Sequence, residues 1–191
     1  EGFFIKEERG YVSSKYSISY YPSVGSFIEL RAQPKTESIT YASNFLGIGN
    51  PKLQKYSVKK YVSTISDAPL NSRGVLKDTS ILKEKFTNIP YTKKELNSLS
   101  KLFQRKTMLL STKATEKQIK ALNLKQFDVI AFATHAAVSG SLVGFNEPFL
   151  VLTPPEISTD LNDGVLTASE ISELNLNAKL VILSACNTAS R

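Results

Sequence analysis

Two short apolar runs, Phe127 to His135 and Lys179 to Cys186, dominate the hydrophobic pattern of the chain. The first reads Phe-Asp-Val-Ile-Ala-Phe-Ala-Thr-His and the second Lys-Leu-Val-Ile-Leu-Ser-Ala-Cys. Both are rich in β-branched residues, the pattern of strands buried on both faces of a parallel sheet. Two further strands are predicted at Lys106 to Ser111 and at Ser43 to Ile48, the latter closed by the turn-forming Gly49-Asn50-Pro51. Helices alternate with them. Thr92 with Glu95 reads as a capping box for a helix to about Gln104, with Leu96, Leu99, Leu102 and Phe103 on one face. Thr115 with Gln118 opens a second helix to about Leu122, and Thr167 with Glu170 a third to about Leu174. Alternation of this kind requires right-handed crossovers and gives a parallel sheet.

The rest of the pattern is less regular. Residues 3 to 21 alternate as a hairpin would, and Ser23 is placed to cap a helix from Val24 to Ala32 with Phe27, Ile28 and Leu30 on its apolar face. Residues 1–42 then form an N-terminal portion of a single domain spanning 1–191. From Lys52 to Pro90 no periodicity is sustained, and the stretch is read as a surface excursion within the domain. Ala136 to Gly144 reads as a flexible segment, Pro148 to Thr153 as a short strand, and Asp163-Gly164 as a turn.

Composition narrows the function classes. With 41% hydrophobic and 21% charged residues the chain is an ordinary globular sequence. Its net charge of +7 is spread over scattered lysines, Lys59-Lys60 and Lys93-Lys94 being the only adjacent ones, so no nucleic-acid partner is expected. No apolar run approaches the roughly 20 residues that span a bilayer, and no signal-peptide pattern opens the chain, so no membrane partner is expected. A single cysteine permits no internal disulfide, and a cytoplasmic location is the expectation. One histidine and one cysteine are too few for a metal site, and no cofactor is expected.

His135 and Cys186 are the only histidine and the only cysteine. Each taken alone reads as a structural residue, since free cysteine is among the most buried residue types. Together they read differently. Each ends a predicted strand, and ligands of open parallel sheets bind beyond the carboxyl ends of the strands. A thiol needs a neighbouring imidazole or a helix N-terminus to become the attacking thiolate at neutral pH. Asp163 has two readings, a turn residue or a carboxylate that faces the cleft and binds a basic substrate side chain.

Three segments then carry a family resemblance: Ala133-Thr134-His135-Ala136, Asp163 to Ile171 (Asp-Gly-Val-Leu-Thr-Ala-Ser-Glu-Ile), and Leu180 to Ala189 (Leu-Val-Ile-Leu-Ser-Ala-Cys-Asn-Thr-Ala). With weaker support from Tyr16 to Ser23 and Phe45 to Pro51, the chain resembles a CHAT domain, a caspase-like family related to separases and gingipains and often found beside tetratricopeptide repeats. The 51-residue spacing of the pair agrees with the separation known for caspases. The resemblance implies an α/β caspase-like three-layer sandwich, with a mostly parallel sheet flanked by helices. It implies His135 as general base and acid and Cys186 as nucleophile, with the backbone N–H groups of Ala136 and Cys186 as oxyanion hole. Caspases carry glycine where this chain has Ala136. The family continues past its cysteine with a helix and strands, so the remainder of the domain after Arg191 is an expected partner of residues 1–191.

The resulting expectation is a cysteine endopeptidase that cleaves a protein or peptide substrate under control of an attached repeat or other sensor domain. Two alternatives stay open. One is a non-catalytic caspase-like interaction module; the other is a cysteine-dependent hydrolase or acyltransferase of non-peptide substrates.

Overall fold

The most apolar stretch of the sequence becomes the middle of a sheet. The computed structural model describes residues 23–32, 38–53, 70 and 74–185. In chain order the elements are α1 (Val24–Ala32), β1 (Asn44–Pro51), α2 (Ser80–Lys85), α3 (Tyr91–Ser100), β2 (Arg105–Ser111), α4 (Glu116–Ala121), β3 (Val129–Ala133), β4 (His135–Ala137), β5 (Phe149–Val151), β6 (Val165–Thr167), α5 (Ala168–Glu173) and β7 (Leu180–Ser184). The chain divides into two units, Glu1–Ser38, which carries α1, and Ile39–Arg191, which carries the rest. Within the first unit α1 spans the predicted residues, but Ile28 is exposed rather than on a buried face. The hairpin expected at 3–21 lies outside the described residues.

The second unit is built on four parallel strands in the order β2-β1-β3-β7. Every residue of β3 is buried, and its side chains alternate between two cores. Val129, Ala131 and Ala133 face α3, packing with Phe45, Leu96 and Phe103, whose ring stacks on Phe45 at 5.0 Å. Ile130 and Phe132 face the other way, toward Ile48, Ile119 and Leu124, with Ile171 of α5 at the margin. Helices therefore cover both faces, giving a three-layer α/β arrangement.

Asp128 sets the register where these strands begin. Its Oδ2 accepts the Asn44 N–H at 2.7 Å, its Oδ1 lies 3.1 Å from Lys179 Nζ, and its carbonyl accepts the Lys179 and Leu180 N–H groups. The strand β7 has only one strand neighbour among the described residues, and Leu180, Val181 and Leu183 are exposed. The predicted burial on both faces thus holds for β3 and not for β7.

Four other expectations are corrected. The strand β1 runs on through Gly49-Asn50-Pro51, because a register shift there, with Asn50 at φ 50°, absorbs the turn-forming residues as a bulge. In α3 the N-cap is Pro90, and Thr92 does not cap: its hydroxyl donates to the Ile89 carbonyl and accepts the Asn50 N–H. The helix stops at Ser100, which leaves Leu102 exposed. The stretch read as a surface excursion supplies Leu53, Leu76, Leu82 and Phe86 to a third core with Phe149, Val151 and Val165. These residues enter singly from irregular backbone and one short helix, so they leave no periodicity to read. Finally, the strand expected at Phe127 to Ala133 forms as β3, but the chain beyond it is not simply a flexible segment: after Thr134, His135–Ala137 opens a separate antiparallel sheet, β4-β5-β6.

The other two capping sites form as predicted. Thr115 accepts the Gln118 N–H at 3.2 Å, and Thr167 and Glu170 make a complete capping box.

Candidate active site

His135 sits where the two sheets meet. The preceding residue, Thr134, is buried and its hydroxyl donates to the Val151 carbonyl, tying the break after β3 to β5. The imidazole is 6% exposed, and its Nε2 lies 2.7 Å from the carbonyl oxygen of Thr87. A carbonyl can only accept, so Nε2 carries the proton and, in the neutral ring, Nδ1 is the basic nitrogen. The Phe86 ring lies against the imidazole, centroid to centroid 5.3 Å and tilted by 42°.

The segment that offers the Thr87 carbonyl is itself fastened at several points. Leu76 N–H donates to Asp163 Oδ2 at 2.8 Å, Thr79 Oγ1 to the Pro155 carbonyl at 3.1 Å, and Leu53 N–H to Asn88 Oδ1 at 2.7 Å. Leu82 and Phe86 are buried in the third core. The histidine's orientation therefore depends on residues 74–90, which sequence reading had set aside.

The ladder fixes where the Ala136 amide points. Leu152 N–H donates to the Gly164 carbonyl at 2.8 Å and Ala168 N–H to the Pro148 carbonyl at 2.9 Å, so the even-numbered backbone groups of β5 face β6. Phe149 and Val151 then face β4, opposite Ala137 and His135. In an antiparallel ladder the intervening residue turns its N–H and C=O the other way. Ala136 thus directs its N–H away from β5, toward the outer edge of the small sheet. An apolar cavity of about 270 Å³ borders this residue, lined by Ile130, Phe132, Ile171, Val181 and Leu183 among others.

Cys186 lies outside the described residues. What is described is the strand that leads to it. Ala133 pairs with Ser184, so the carboxyl ends of β3 and β7 are level.

Asp163 is 7% exposed and turned inward. Its two oxygens accept the Leu76 and Val165 N–H groups, at 2.8 and 3.0 Å, which is the work of a turn residue. The following Gly164 has φ +94°, and a Cβ there would come within 2.8 Å of the Pro154 Cα. Asp163 N–H in turn donates to Glu116 Oε2 at 2.8 Å. Glu116 is 1% exposed, its Oε1 accepts from Lys120 Nζ, and Lys120 also reaches Glu170 Oε1 at 2.8 Å. Burial pushes the Glu116 carboxyl up to about 7, against the opposing pull of Lys120 and the Asp163 N–H. Burial likewise raises Asp163. Burial also pushes Glu170 upward, but hydrogen bonds from Lys120 and the Thr167 N–H outweigh it and hold that carboxyl low.

A family model for the CHAT domain matches residues 3–191. The chain belongs to the CHAT domain family. Its parallel sheet with helices on both faces is the caspase-like α/β fold, and membership places it among caspase-like, peptidase-related domains. No curated protein and no solved structure matches the chain. No helix among the described residues is long and apolar enough to cross a membrane.

Sequence reading missed Thr87, Phe86, Glu116 and Lys120. The Thr87 contact is made by a backbone carbonyl, which every residue type offers equally, so no sequence signal marks it. Glu116 and Lys120 carried a faint one, a carboxylate in the first turn of a helix with a lysine four residues on. On most helices that pattern marks a solvated face.

Proposed function

We propose that this CHAT domain is a cysteine endopeptidase in which His135 and Cys186 act as a catalytic dyad. One observation carries the reading: the imidazole is held by a carbonyl at Nε2, which leaves the other nitrogen as the base, at the carboxyl end of the strand beside β7. Cys186 follows Ser184 by two residues in the sequence, and β7, which ends at Ser184, pairs with the strand that leads to His135.

In this mechanism His135 takes the thiol proton and the thiolate attacks the scissile carbonyl of a protein or peptide substrate. The backbone N–H groups of Ala136 and Cys186 receive the oxyanion of the tetrahedral intermediate. His135 then gives its proton to the leaving amine, and water hydrolyses the resulting thioester with His135 again as base. Control by an attached sensor domain, such as tetratricopeptide repeats, belongs to the same proposal.

The burial of His135 favours one competing reading, a caspase-like interaction module that keeps the fold without turnover. A peptide probe bearing a thiol-reactive acyloxymethyl ketone separates the two. The dyad predicts labelling of Cys186 that falls at least about a hundredfold in His135→Ala, the scale of general-base assistance. Equal labelling of both proteins, at the rate of a simple thiol, rules the peptidase out.

A further inference from the structure

The Thr87 carbonyl that holds His135 belongs to the peptide unit joining Thr87 to Asn88, and such a unit is planar and rigid. Its aim at the imidazole is therefore set by what fixes the residues on either side. On one side Phe86 is buried in the third core with its ring against the imidazole. On the other, Asn88 lies at the surface, yet its Oδ1 accepts the Leu53 N–H at 2.7 Å, and Leu53 is fully buried. Along the last residues of β1 and just beyond, the backbone N–H groups are taken by side chains. Asn50 N–H donates to Thr92 Oγ1 at 3.1 Å, Lys52 N–H to Thr153 Oγ1 at 2.8 Å and Leu53 N–H to Asn88, while Pro51 has no N–H to give. Thr153 Oγ1 in turn donates to the Ser111 carbonyl at 2.7 Å, at the end of β2. The end of β1 is thus a fixed post beside the strand that leads to His135, since Gly49 pairs with Ala133. Asn88 ties the carbonyl's own peptide plane to that post.

We propose that Asn88 is a positioning residue for His135: by accepting the Leu53 N–H it fixes the Thr87–Asn88 peptide plane, so that the Thr87 carbonyl stays aimed at Nε2 and the imidazole keeps one tautomer. The site demands an acceptor, because the Leu53 N–H is a donor in the interior and is costly to leave unpaired. Aspartate can therefore replace asparagine here and alanine cannot. Asn88 acts through the backbone of Thr87 and takes no part in bond making. Its bearing on turnover rests on the dyad reading; its hold on the ring does not.

The test reads the ring directly. His135 is the only histidine, so labelling the chain with 15N-histidine gives a single pair of ring nitrogens. At about pH 8, where an ordinary imidazole is neutral, a fixed tautomer shows two widely separated 15N shifts and a mixture draws them together. Exchange of the Nε2 proton with water reads the same contact as a rate. In the wild type the shifts are far apart and the proton is protected. In Asn88→Ala the shifts converge and exchange is about tenfold faster, the scale of one hydrogen bond lost from a buried donor. Asn88→Asp keeps Oδ1 and restores both. Ile119→Val, which trims a core outside residues 74–90, lowers stability and leaves the ring unchanged. Unchanged shifts and protection in Asn88→Ala overturn the proposal, as does an Asn88→Asp ring as loose as that of Asn88→Ala, or equal loosening in Ile119→Val. If Asn88→Ala does not fold, Asn88→Gln decides, because it moves the amide one methylene along; a ring held as in the wild type then counts against Asn88. In probe labelling of Cys186, Asn88→Ala slows the covalent step about tenfold and leaves probe affinity unchanged. Wild-type labelling that His135→Ala does not alter would strike the dyad alone, and the ring measurement would still decide the role of Asn88.

Discussion

At the scale of single residues, the seat of His135 shows how a side chain's chemistry is set by groups that have none of their own. The Thr87 carbonyl chooses the tautomer, and the Phe86 ring limits how the imidazole tilts. Glu116 makes the complementary point, that burial turns an ordinary carboxyl into one that titrates near neutrality. The sign of its effect on stability follows directly. Below about pH 4.5 the carboxyl is protonated in both folded and unfolded chains and contributes nothing. Between there and about 7 the folded state keeps a proton that the unfolded state has lost, so stability falls as pH rises through this window. Above it the cost is constant, on the order of 3 kcal/mol for a shift of this size. Urea denaturation at pH 5.5 and pH 8 is expected to show this decline in the wild type and little of it in Glu116→Gln. The histidine and the cysteine were legible as sole examples of their kind, and the turn role of Asp163 was one of two readings. The carboxylate cluster was not legible, because its members are 116, 120, 163 and 170 and nothing local joins them.

Among the elements, β3 and β7 carry the lesson most clearly, since similar apolar runs have different fates. Burial follows from neighbours: β3 has a strand on each side and helices on both faces, whereas β7 pairs with β3 alone among the described residues. What aligns the two is Asp128, whose carboxylate receives the Asn44 N–H and meets Lys179, holding that carboxyl below its usual range chiefly through the Asn44 hydrogen bond. Asp128→Ala is expected to cost about 1 kcal/mol, a charge-assisted hydrogen bond at a partly exposed site. It should raise amide exchange in β7 more than in β2, which exchange mass spectrometry reads. The cost should also vanish in acid, once the folded-state carboxyl has taken its proton. Helix starts were legible where a threonine could reach its own helix, at Thr115 and Thr167. Thr92 was misread because the Ile89 carbonyl and the Asn50 N–H, brought from another element, claim its hydroxyl first.

For the molecule as a whole, the third core carries the wall against which His135 is held. Leu82 is fully buried between the strap of residues 74–90 and the small antiparallel sheet. Leu82→Ala is expected to cost about 2–5 kcal/mol, as large-to-small core changes do, and to loosen the seat of His135 along with the fold. A thermal melt together with the exchange of the Leu76 amide checks both, and an unchanged Leu76 amide at lowered stability would separate core from seat. By itself the sequence determined the parallel α/β plan, the helix caps at Thr115 and Thr167 and the family, and it singled out His135 and Cys186 as candidates, because periodicity, capping and motifs are written in neighbouring positions. Only the tertiary structure decided that His135 opens a second sheet, that residues 74–90 form its wall, and that Glu116 and Asp163 lie in one buried cluster. Those facts come from residues distant in sequence competing for the same interior space and the same hydrogen bonds, and no local pattern records which of them wins.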